Sequence, residues 1–192
     1  MKNDREFWNE KYRRAHHHHG PNETLVELAS MLPVGTALDV GCGEGRDARW
    51  LSAQGWEVTG IDLSDVAIAR ARALAPGATW EVVDVASWRP AAQFDLVTSH
   101  FMHVAPEARV KLFENMAASV KPGGRLLFVS HHHSDHGTDI GRPKLAELFF
   151  TADEVKAVLD PSQWNVEFAG TRPRTERGVA IHDAVLLARR QP

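Results

Sequence analysis

Short apolar runs alternate with amphipathic segments along most of this chain. The runs at 36–40, 57–61, 79–83, 94–98 and 125–130 have the length of buried strands. The segments between several of them carry apolar residues at helical spacing, with polar residues on the other side. This alternation predicts a mostly parallel sheet that is covered by helices on both faces.

The remaining segments complete the predicted fold. Two helices, 4–14 and 22–32, precede the first strand, and two strands, 164–169 and 182–188, close the chain. We therefore predict one α/β domain over residues 1–192, with a doubly wound sheet of about seven strands. We expect it to be mostly parallel, with a closing antiparallel strand. In such a sheet a ligand binds beyond the carboxyl ends of the strands.

A glycine-rich turn follows the first predicted strand. Residues 38–47 read LDVGCGEGRD, with Gly41, Gly43 and Gly45 at the junction of strand and helix. Glycine permits positive φ and lets the backbone approach a ligand closely. Asp62 ends the next strand, 21 positions after Gly41, where an acid is expected to accept the hydroxyl groups of a ribose. The turn and Asp62 together predict a site for a ribose-containing cofactor.

The spacing of the glycines separates two classes of cofactor. A dinucleotide fingerprint needs glycine at position 46, where this chain has Arg46. The sequence from Asp39 to Gly45 instead reads D-x-G-x-G-x-G, and Glu44 and Asp47 add negative charge. Crowded carboxylates suit a cationic sulfonium with an ammonium group better than a pyrophosphate. A nicotinamide-dependent oxidoreductase is therefore the weaker interpretation, and an ordinary glycine-rich turn is the structural alternative.

The D-x-G-x-G-x-G motif resembles the first motif of class I S-adenosylmethionine-dependent methyltransferases, and the resemblance extends over roughly residues 36–130. Residues 94–104 (FDLVTSHFMHV) are similar to the family's fourth strand, and 121–129 (KPGGRLLFV) to its turn and fifth strand. The resemblance implies a Rossmann-like fold and methyl transfer from S-adenosylmethionine to a small molecule, with S-adenosylhomocysteine as product. The alternative is a non-catalytic module that binds either compound. The cofactor-binding residues that the resemblance implies are Asp39, Gly41, Gly43, Gly45, Asp62, Leu63, Asp84 and Val85.

The N-terminal aromatic helix resembles the small-molecule branch of this family, of which thiopurine and tellurite-resistance methyltransferases are examples. In that branch an N-terminal helix lies over the cofactor. The resemblance therefore implies a cofactor lid over residues 1–35 and a Rossmann-like core over 36–192, with Trp8 and Tyr12 lining the cofactor pocket. Plain core packing of an amphipathic helix is the alternative for these two aromatic residues.

Four histidines follow the fourth and fifth strands, at the predicted ligand-binding edge. His100 and His103 follow the fourth strand, and His131 and His132 follow the fifth. An imidazole there can remove a proton from an acceptor or hydrogen-bond to it, so all four are candidate catalytic residues. Methyl transfer can also proceed by positioning alone. The segment 131–136 (HHHSDH) offers ligands that suit zinc or nickel, but it lacks the spacing of a known motif, and we predict no metal.

Composition narrows the class of partner. The chain has 25 acidic and 22 basic residues and a net charge of -3, which favours neither nucleic acid nor an anionic membrane. No apolar run approaches the roughly 18–20 residues of a membrane span. The single cysteine, Cys42, fits a reducing compartment, so we expect a cytoplasmic protein. As a separate expectation, the protein is a monomer or a homodimer. Arg172, Arg174 and Arg177 can meet an anionic acceptor, but a solvated loop is the favoured interpretation of 171–177.

Overall fold

The computed structural model of this chain describes residues 5–14, 20–85, 87–136, 148–176 and 178–192. No helix within these ranges combines the length and the apolar character needed to cross a bilayer. The helices are α1 (Arg5–Arg14), α2 (Glu23–Ala29), α3 (Arg46–Ala53), α4 (Asp65–Leu74), α5 (Pro106–Ala118) and α6 (Ala152–Lys156). The strands are β1 (Thr36–Val40), β2 (Glu57–Asp62), β3 (Thr79–Val82), β4 (Phe94–His100), β5 (Val120–His131), β6 (Trp164–Glu176) and β7 (Val179–Arg190). A 3-10 turn spans His133–Asp135.

One seven-stranded sheet runs through these ranges, in the order β3-β2-β1-β4-β5-β7-β6. The strands from β3 to β5 pair in parallel, whereas β7 runs antiparallel to both β5 and β6. The predicted doubly wound sheet with a closing antiparallel strand is therefore confirmed. The order reverses at β1, because β2 lies on one side of it and β4 on the other, and this is where such sheets bind ligands.

Alternate residues of the central strands enter two separate cores, as the pleat of a strand requires. On one face Leu38, Val97 and Phe128 pack with residues of α5 and α6. On the other face Ala37 and Leu127 pack with residues of α2, α3 and α4. Helices therefore cover both faces, as predicted. Polar residues lie instead at the ends of the parallel strands.

Two segments that the sequence analysis assigned to turns or loops belong to strands. Residues 121–124 lie inside β5, where Gly123 has a φ of +81° and the register with β4 shifts. The expected loop at 171–177 is wrong for residues 171–176, which form the end of β6 and pair with β7. Arginine and proline disfavour a strand locally, but pairing with a complete neighbouring strand decides the conformation here.

Side chains fix the helices that begin at the ligand-binding edge. The Ser64 hydroxyl accepts from the Ala67 backbone N–H at the start of α4. Asn22 caps α2, since its side-chain oxygen accepts from the backbone N–H groups of Thr24 and Leu25. Both caps lie beside the glycine-rich turn and hold its surroundings in one conformation.

Helix α1 docks on the same edge through one asparagine. Asn9 is buried; its amide donates to Asp65 at 2.6 Å and its oxygen accepts from the Ser64 hydroxyl at 2.7 Å. Because Ser64 and Asp65 begin α4, these bonds hold the N-terminal helix against the end of β2.

Candidate functional site

A cavity of about 770 Å³ lies at the carboxyl ends of β1, β2, β4 and β5, with α1 along one side. Twelve of the fourteen predicted site residues line it. Gly45 and His132 do not. The predicted residues that line the cavity are Trp8, Tyr12, Asp39, Gly41, Gly43, Asp62, Leu63, Asp84, Val85, His100, His103 and His131.

The cavity has two chemically different sides. We call the first the carboxylate side; it consists of Asp39, the turn at 41–45, Asp62, Leu63, Asp84 and Val85. We call the second the ring side; it consists of Trp8, Lys11, Phe101, His103, His131 and Arg174. On the carboxylate side Leu63 and Val85 are half-buried and Asp84 is exposed.

The glycine-rich turn needs its glycines for conformation and for space. Gly41, Gly43 and Gly45 have φ values of +73°, +55° and +75°, a region that L side chains rarely adopt. A Cβ on Gly43 would stand 2.5 Å from the Tyr12 hydroxyl oxygen, and one on Gly45 would overlap the Trp80 ring. Gly43 therefore faces the cavity, whereas Gly45 serves packing beneath the turn.

Asp62 ties the turn to the end of β2. Its two carboxylate oxygens accept from the backbone N–H groups of Gly43 and Ser64, each at 2.8 Å. Burial raises the pKa of Asp62, although these hydrogen bonds act in the opposite direction. A carboxylate has about four acceptor sites, so Asp62 keeps capacity to accept from a ligand in the cavity.

Asp39, at the end region of β1, has an unsatisfied oxygen. It is 2% exposed, and no group of the described residues donates a hydrogen bond to its Oδ2 atom. Burial, reinforced by the negative charge of Asp47, raises the pKa of Asp39 to about 7. A buried carboxylate oxygen without a donor is costly, so this atom is a place where a cationic hydrogen-bond donor would be stabilised.

His100 borders the cavity, but both of its ring nitrogens are engaged in a buried network. Its Nδ1 lies 3.0 Å from Asp47 Oδ2, and its Nε2 lies 2.9 Å from the Thr98 hydroxyl. Asp47 also accepts from the Asn22 backbone N–H at 2.6 Å and from Arg46 at 3.0 Å. Burial alone would raise the pKa of Asp47, but His100 and Arg46 hold it below its usual range.

This network joins the start of α3, the end of β4 and the segment that enters α2. The sequence predicts for Asp47 only a negative charge near the turn. Nothing in the local sequence pairs it with His100 or Asn22, because those contacts form only when the strands assemble.

The ring side is a row of flat side chains. The ring centroid of Trp8 lies 5.8 Å from that of His103, which lies 5.9 Å from that of His131. His131 in turn stacks on Phe101 at 4.4 Å with an interplanar angle of 22°. We call these four residues the ring wall. Burial, with a smaller contribution from the positive charge of Lys11, lowers the pKa of His103 to about 4.

Phe101 has the one positive φ, +54°, among the non-glycine residues of the described ranges. An aromatic residue rarely adopts this conformation, and strain of this kind is found at ligand sites. The guanidinium carbon of Arg174 lies 5.4 Å from the centre of the Phe101 ring, and that of Arg46 lies at 5.9 Å. The strained residue is therefore held between cations and the ring of His131.

The sequence does not predict the cavity positions of two cationic residues of the ring side. The sequence favours a solvated loop for Arg174, but β6 brings it to the cavity, where it pairs with Asp183 at 2.7 Å. The Nζ of Lys11 lies 4.5 Å from the centre of the Trp8 ring. The spacing of Lys11 from Trp8 along α1 was the one available signal.

His132 lies outside the cavity in a separate polar cluster. Its Nδ1 lies 2.9 Å from the Ser134 hydroxyl, and Asp135 accepts from the His182 backbone N–H at 2.8 Å. Within the described ranges no group of three or more histidine, cysteine or acidic side chains is arranged to hold a metal ion.

Cys42 belongs to the turn but is turned away from solvent. It is 8% exposed, and its Sγ lies 3.7 Å from the Gly43 carbonyl oxygen. Burial raises the pKa of the thiol well above its ordinary value, and Asp39 and Asp62 add to the effect.

Comparison with known proteins agrees with this geometry. The model of a methyltransferase domain family matches residues 37–124. The chain is 33% identical over 139 residues to thiocyanate methyltransferase 1 of Arabidopsis thaliana, covering 68% of this chain and 60% of that protein. It is 31% identical over 129 residues to trans-aconitate 2-methyltransferase of Rhizobium meliloti (strain 1021), covering 66% of this chain and 50% of that protein. The chain thus spans half to three fifths of the length of these two curated relatives.

A solved structure extends the similarity over most of the chain. The S-adenosylmethionine-dependent methyltransferase from Mesorhizobium loti superposes with a TM-score of 0.67 at 27% identity. The alignment covers 86% of this chain and 96% of that one. The similarity therefore extends beyond residues 37–124, which the family model matches.

Proposed function

We infer from the membership of this chain in the class I S-adenosylmethionine-dependent methyltransferases that it transfers the methyl group of S-adenosylmethionine to a small-molecule acceptor. The family predicted from the glycine-rich motif is confirmed, and the cofactor of that family is S-adenosylmethionine. The observation that carries the proposal is the unsatisfied, buried Asp39 Oδ2 beside the glycine-rich turn. A cationic amino-acid moiety with a ribose is the ligand that this atom and Asp62 suit together.

The carboxylate side fits the donor in three ways. Asp39 would accept from the ammonium group, and Asp62 would accept from the ribose hydroxyls with its remaining lone pairs. Leu63 and Val85 offer half-buried apolar surface to the adenine, and Asp84 stands where the resemblance expects a partner of the adenine amino group. Gly43, without a side chain, lets the Tyr12 hydroxyl approach the turn, so α1 can lie close to the carboxylate side.

When bound, the donor supplies a methyl group on a positively charged sulfur. The residues of this chain then have to hold the acceptor in line and keep water out. Positioning of this kind supplies roughly 7–11 kcal/mol of a barrier. Trp8, His103 and His131 line the cavity. His103 follows β4 and His131 ends β5, and both strands lie on the other side of β1 from Asp62, at the end of β2. We therefore assign these three residues to the acceptor.

We also propose that the N-terminal segment covers the donor. Trp8 and Tyr12 line the cavity, and Asn9 fastens α1 to the start of α4. These contacts support the predicted lid for the described part of residues 1–35. The division of residues 1–192 into this lid and one Rossmann-like core belongs to the same proposal.

Cavity size and charge support a small acceptor. A volume of about 770 Å³ accommodates the donor together with a compact molecule, in the range of ordinary ligand pockets. The two curated relatives are named for small acceptors, thiocyanate and trans-aconitate. The net charge of -3 gives no support to a nucleic-acid acceptor. We keep the expectation of a cytoplasmic monomer or homodimer within this proposal.

Calorimetry and turnover test the proposal in sequence. We expect S-adenosylhomocysteine to bind with measurable heat and to raise the melting temperature, whereas NAD does neither. Asp39→Asn should weaken binding, and Asp153→Asn, at an exposed position on α6, should not. Incubation with S-adenosylmethionine and a panel of small acceptors should then produce S-adenosylhomocysteine. Binding without turnover on any acceptor would favour the non-catalytic module, and absence of binding would overturn the proposal.

A further inference from the structure

We propose that the acceptor is a small anion whose reacting atom carries the negative charge, and that Lys11 holds it against the ring wall. This inference rests on the proposed methyl transfer and adds the chemical class of the acceptor. Carboxylates, thiolates and pseudohalides share this chemistry. Lys11 is then a specificity-determining residue of the ring side.

Lys11 is a cation of the cavity that has no carboxylate partner within the described residues. Arg46 pairs with Asp47 at 3.0 Å and Arg174 with Asp183 at 2.7 Å, so their charges are compensated. Within the described ranges the Lys11 ammonium forms no ion pair with a carboxylate, and it lies 4.5 Å from the centre of the Trp8 ring. Partial burial lowers the pKa of the Lys11 ammonium, although the residue as a whole is exposed to solvent. An anion in the cavity would supply that partner.

Two of the three candidate bases that line the cavity, His100 and His103, are poorly suited to take a proton from an acceptor. Both ring nitrogens of His100 are engaged, one with Asp47 and one with Thr98. The pKa of His103 is lowered to about 4, which makes it a weak base at neutral pH. His131 stacks on Phe101 at 4.4 Å inside the ring wall. An acceptor that arrives already deprotonated avoids the need for any of them.

The reaction of such an acceptor balances without a proton. The acceptor atom gives a lone pair to the methyl carbon while the carbon–sulfur bond breaks and its electron pair goes to sulfur. The negative charge of the acceptor and the positive charge of the sulfonium cancel. No proton is released, in contrast to transfer onto a neutral hydroxyl or a protonated amine.

An alternative role for Lys11 is to pair with the carboxylate of the donor. One contact favours the acceptor instead. The Lys11 ammonium lies 4.5 Å from the centre of the ring of Trp8, which belongs to the ring wall. The unsatisfied charge of the carboxylate side is the opposite one, at Asp39. The two roles differ in whether loss of the Lys11 side chain weakens binding of the donor or binding of the acceptor.

The first experiment measures binding to the protein saturated with S-adenosylhomocysteine. Benzoate, thiocyanate and iodide are titrated by calorimetry against benzyl alcohol and benzylamine, which match benzoate in size but are neutral or cationic. We expect heat from at least one anion and none from the two controls. The proposal is overturned if none of the three anions (benzoate, thiocyanate and iodide) binds. It is also overturned if benzyl alcohol or benzylamine binds more strongly than these anions.

The second experiment uses Lys11→Met, Lys11→Arg and, as a matched control at an exposed position of α6, Lys156→Met. With the best anion, Lys11→Met should raise KM about tenfold and change kcat less, whereas Lys11→Arg restores most of the loss. Affinity for S-adenosylhomocysteine should stay within twofold in all three. A tenfold loss of that affinity in Lys11→Met assigns the residue to the donor and overturns the proposal.

A third measurement separates this inference from the proposed function. In a weakly buffered assay with an indicator dye, methylation of benzoate, thiocyanate or iodide, which are ionised at neutral pH, should release no proton per S-adenosylhomocysteine formed. Turnover that prefers a neutral acceptor and releases one proton refutes the anion but leaves the methyltransferase. Failure to bind S-adenosylhomocysteine refutes the methyltransferase itself.

Discussion

The carboxylate side and the ring side of the cavity are built in different ways. The carboxylate side comes from the ends of neighbouring parallel strands and is fixed by backbone hydrogen bonds, such as those from Gly43 and Ser64 to Asp62. The ring side is assembled from α1, the residues after β4, the end of β5 and β6, through ring contacts and long cationic side chains. The carboxylate side tolerates few substitutions, because its backbone hydrogen bonds depend on one local conformation. On the ring side, one side chain can be substituted without changing the backbone of the others.

This difference suits the donor and the acceptor of the proposed methyl transfer. The residues that we assign to the donor lie at the ends of neighbouring parallel strands. Those that we assign to the acceptor lie on α1, after β4 and at the end of β5, three segments that are distant in sequence. Each of the following variants tests whether the two sides are as independent as their construction suggests.

The largest effect should come from Gly45→Ala, beneath the carboxylate side. The new methyl would overlap the Trp80 ring, and the φ of +75° disfavours any side chain. We expect a loss of about 2 to 5 kcal/mol in the free energy of unfolding. Gly77→Ala is the matched control, since a methyl there meets open space, and it should change stability by less than about 0.5 kcal/mol. Equal urea denaturation curves for both variants would contradict the packing role of Gly45.

His100→Ala should come next, because it removes a partner from the buried Asp47 carboxylate. Arg46 and the Asn22 N–H remain, so we expect a loss of about 2 to 3 kcal/mol of stability rather than complete unfolding. His132→Ala, outside the cavity, should lie within about 0.5 kcal/mol of the native protein. If turnover falls in His100→Ala while stability is unchanged, His100 acts on the acceptor instead.

Asp62→Ala should weaken the donor site specifically. Loss of the charged acceptor is expected to reduce affinity for S-adenosylhomocysteine by about 1 to 3 kcal/mol. The anion affinity of the ring side should change much less, which is the sharpest test of independence. Calorimetry with both ligands measures the two effects, and unchanged S-adenosylhomocysteine affinity would count against the assignment of Asp62.

The pH dependence of donor binding should follow Asp39. Because its pKa is raised to about 7, the group is protonated below that value and cannot attract an ammonium. Affinity for S-adenosylhomocysteine should therefore rise with pH, by up to about tenfold per unit between about pH 5.5 and 7, and then level off. Asp39→Asn should bind more weakly and lose this dependence.

The same shift has the opposite consequence for the protein without ligand. The folded state holds the Asp39 proton more tightly than the unfolded state does, so the contribution of this group to stability falls as pH rises from 3.8 to about 7. Melting curves of the free protein and of Asp39→Asn over this range check the sign. A contribution that rises with pH would show that Asp39 is ionised in the fold.

The part of the site that the sequence predicts is the part whose causes are local. The glycine-rich turn and Asp62 at the end of β2 are recognisable because a backbone conformation and a strand end dictate their residue types. The same holds for β1, whose bounds agree with the prediction at 36–40. The roles of the predicted binding residues stay predictions that the experiments above address.

The parts that escaped prediction depend on distant partners. His100 was a candidate base, but Asp47 lies 53 positions earlier in the chain and engages it only in the folded sheet. Arg174 reaches the cavity because β6 continues beyond its expected end, and β7 is what holds it there. The position of Lys11 depends on Asn9 and its bonds to α4. These three contacts cannot be predicted from the periodicity or the spacing of residues along the chain.

The reactivity of the Cys42 thiol reports on opening of the glycine-rich turn. Cys42 is the one cysteine of the chain, its thiol is shielded, and its raised pKa keeps it in the unreactive protonated form. Alkylation by iodoacetamide therefore requires the turn to open, and its rate follows the frequency of that local opening. A ligand that closes over the turn would slow the labelling, so a single mass shift would record occupancy without any assay of product.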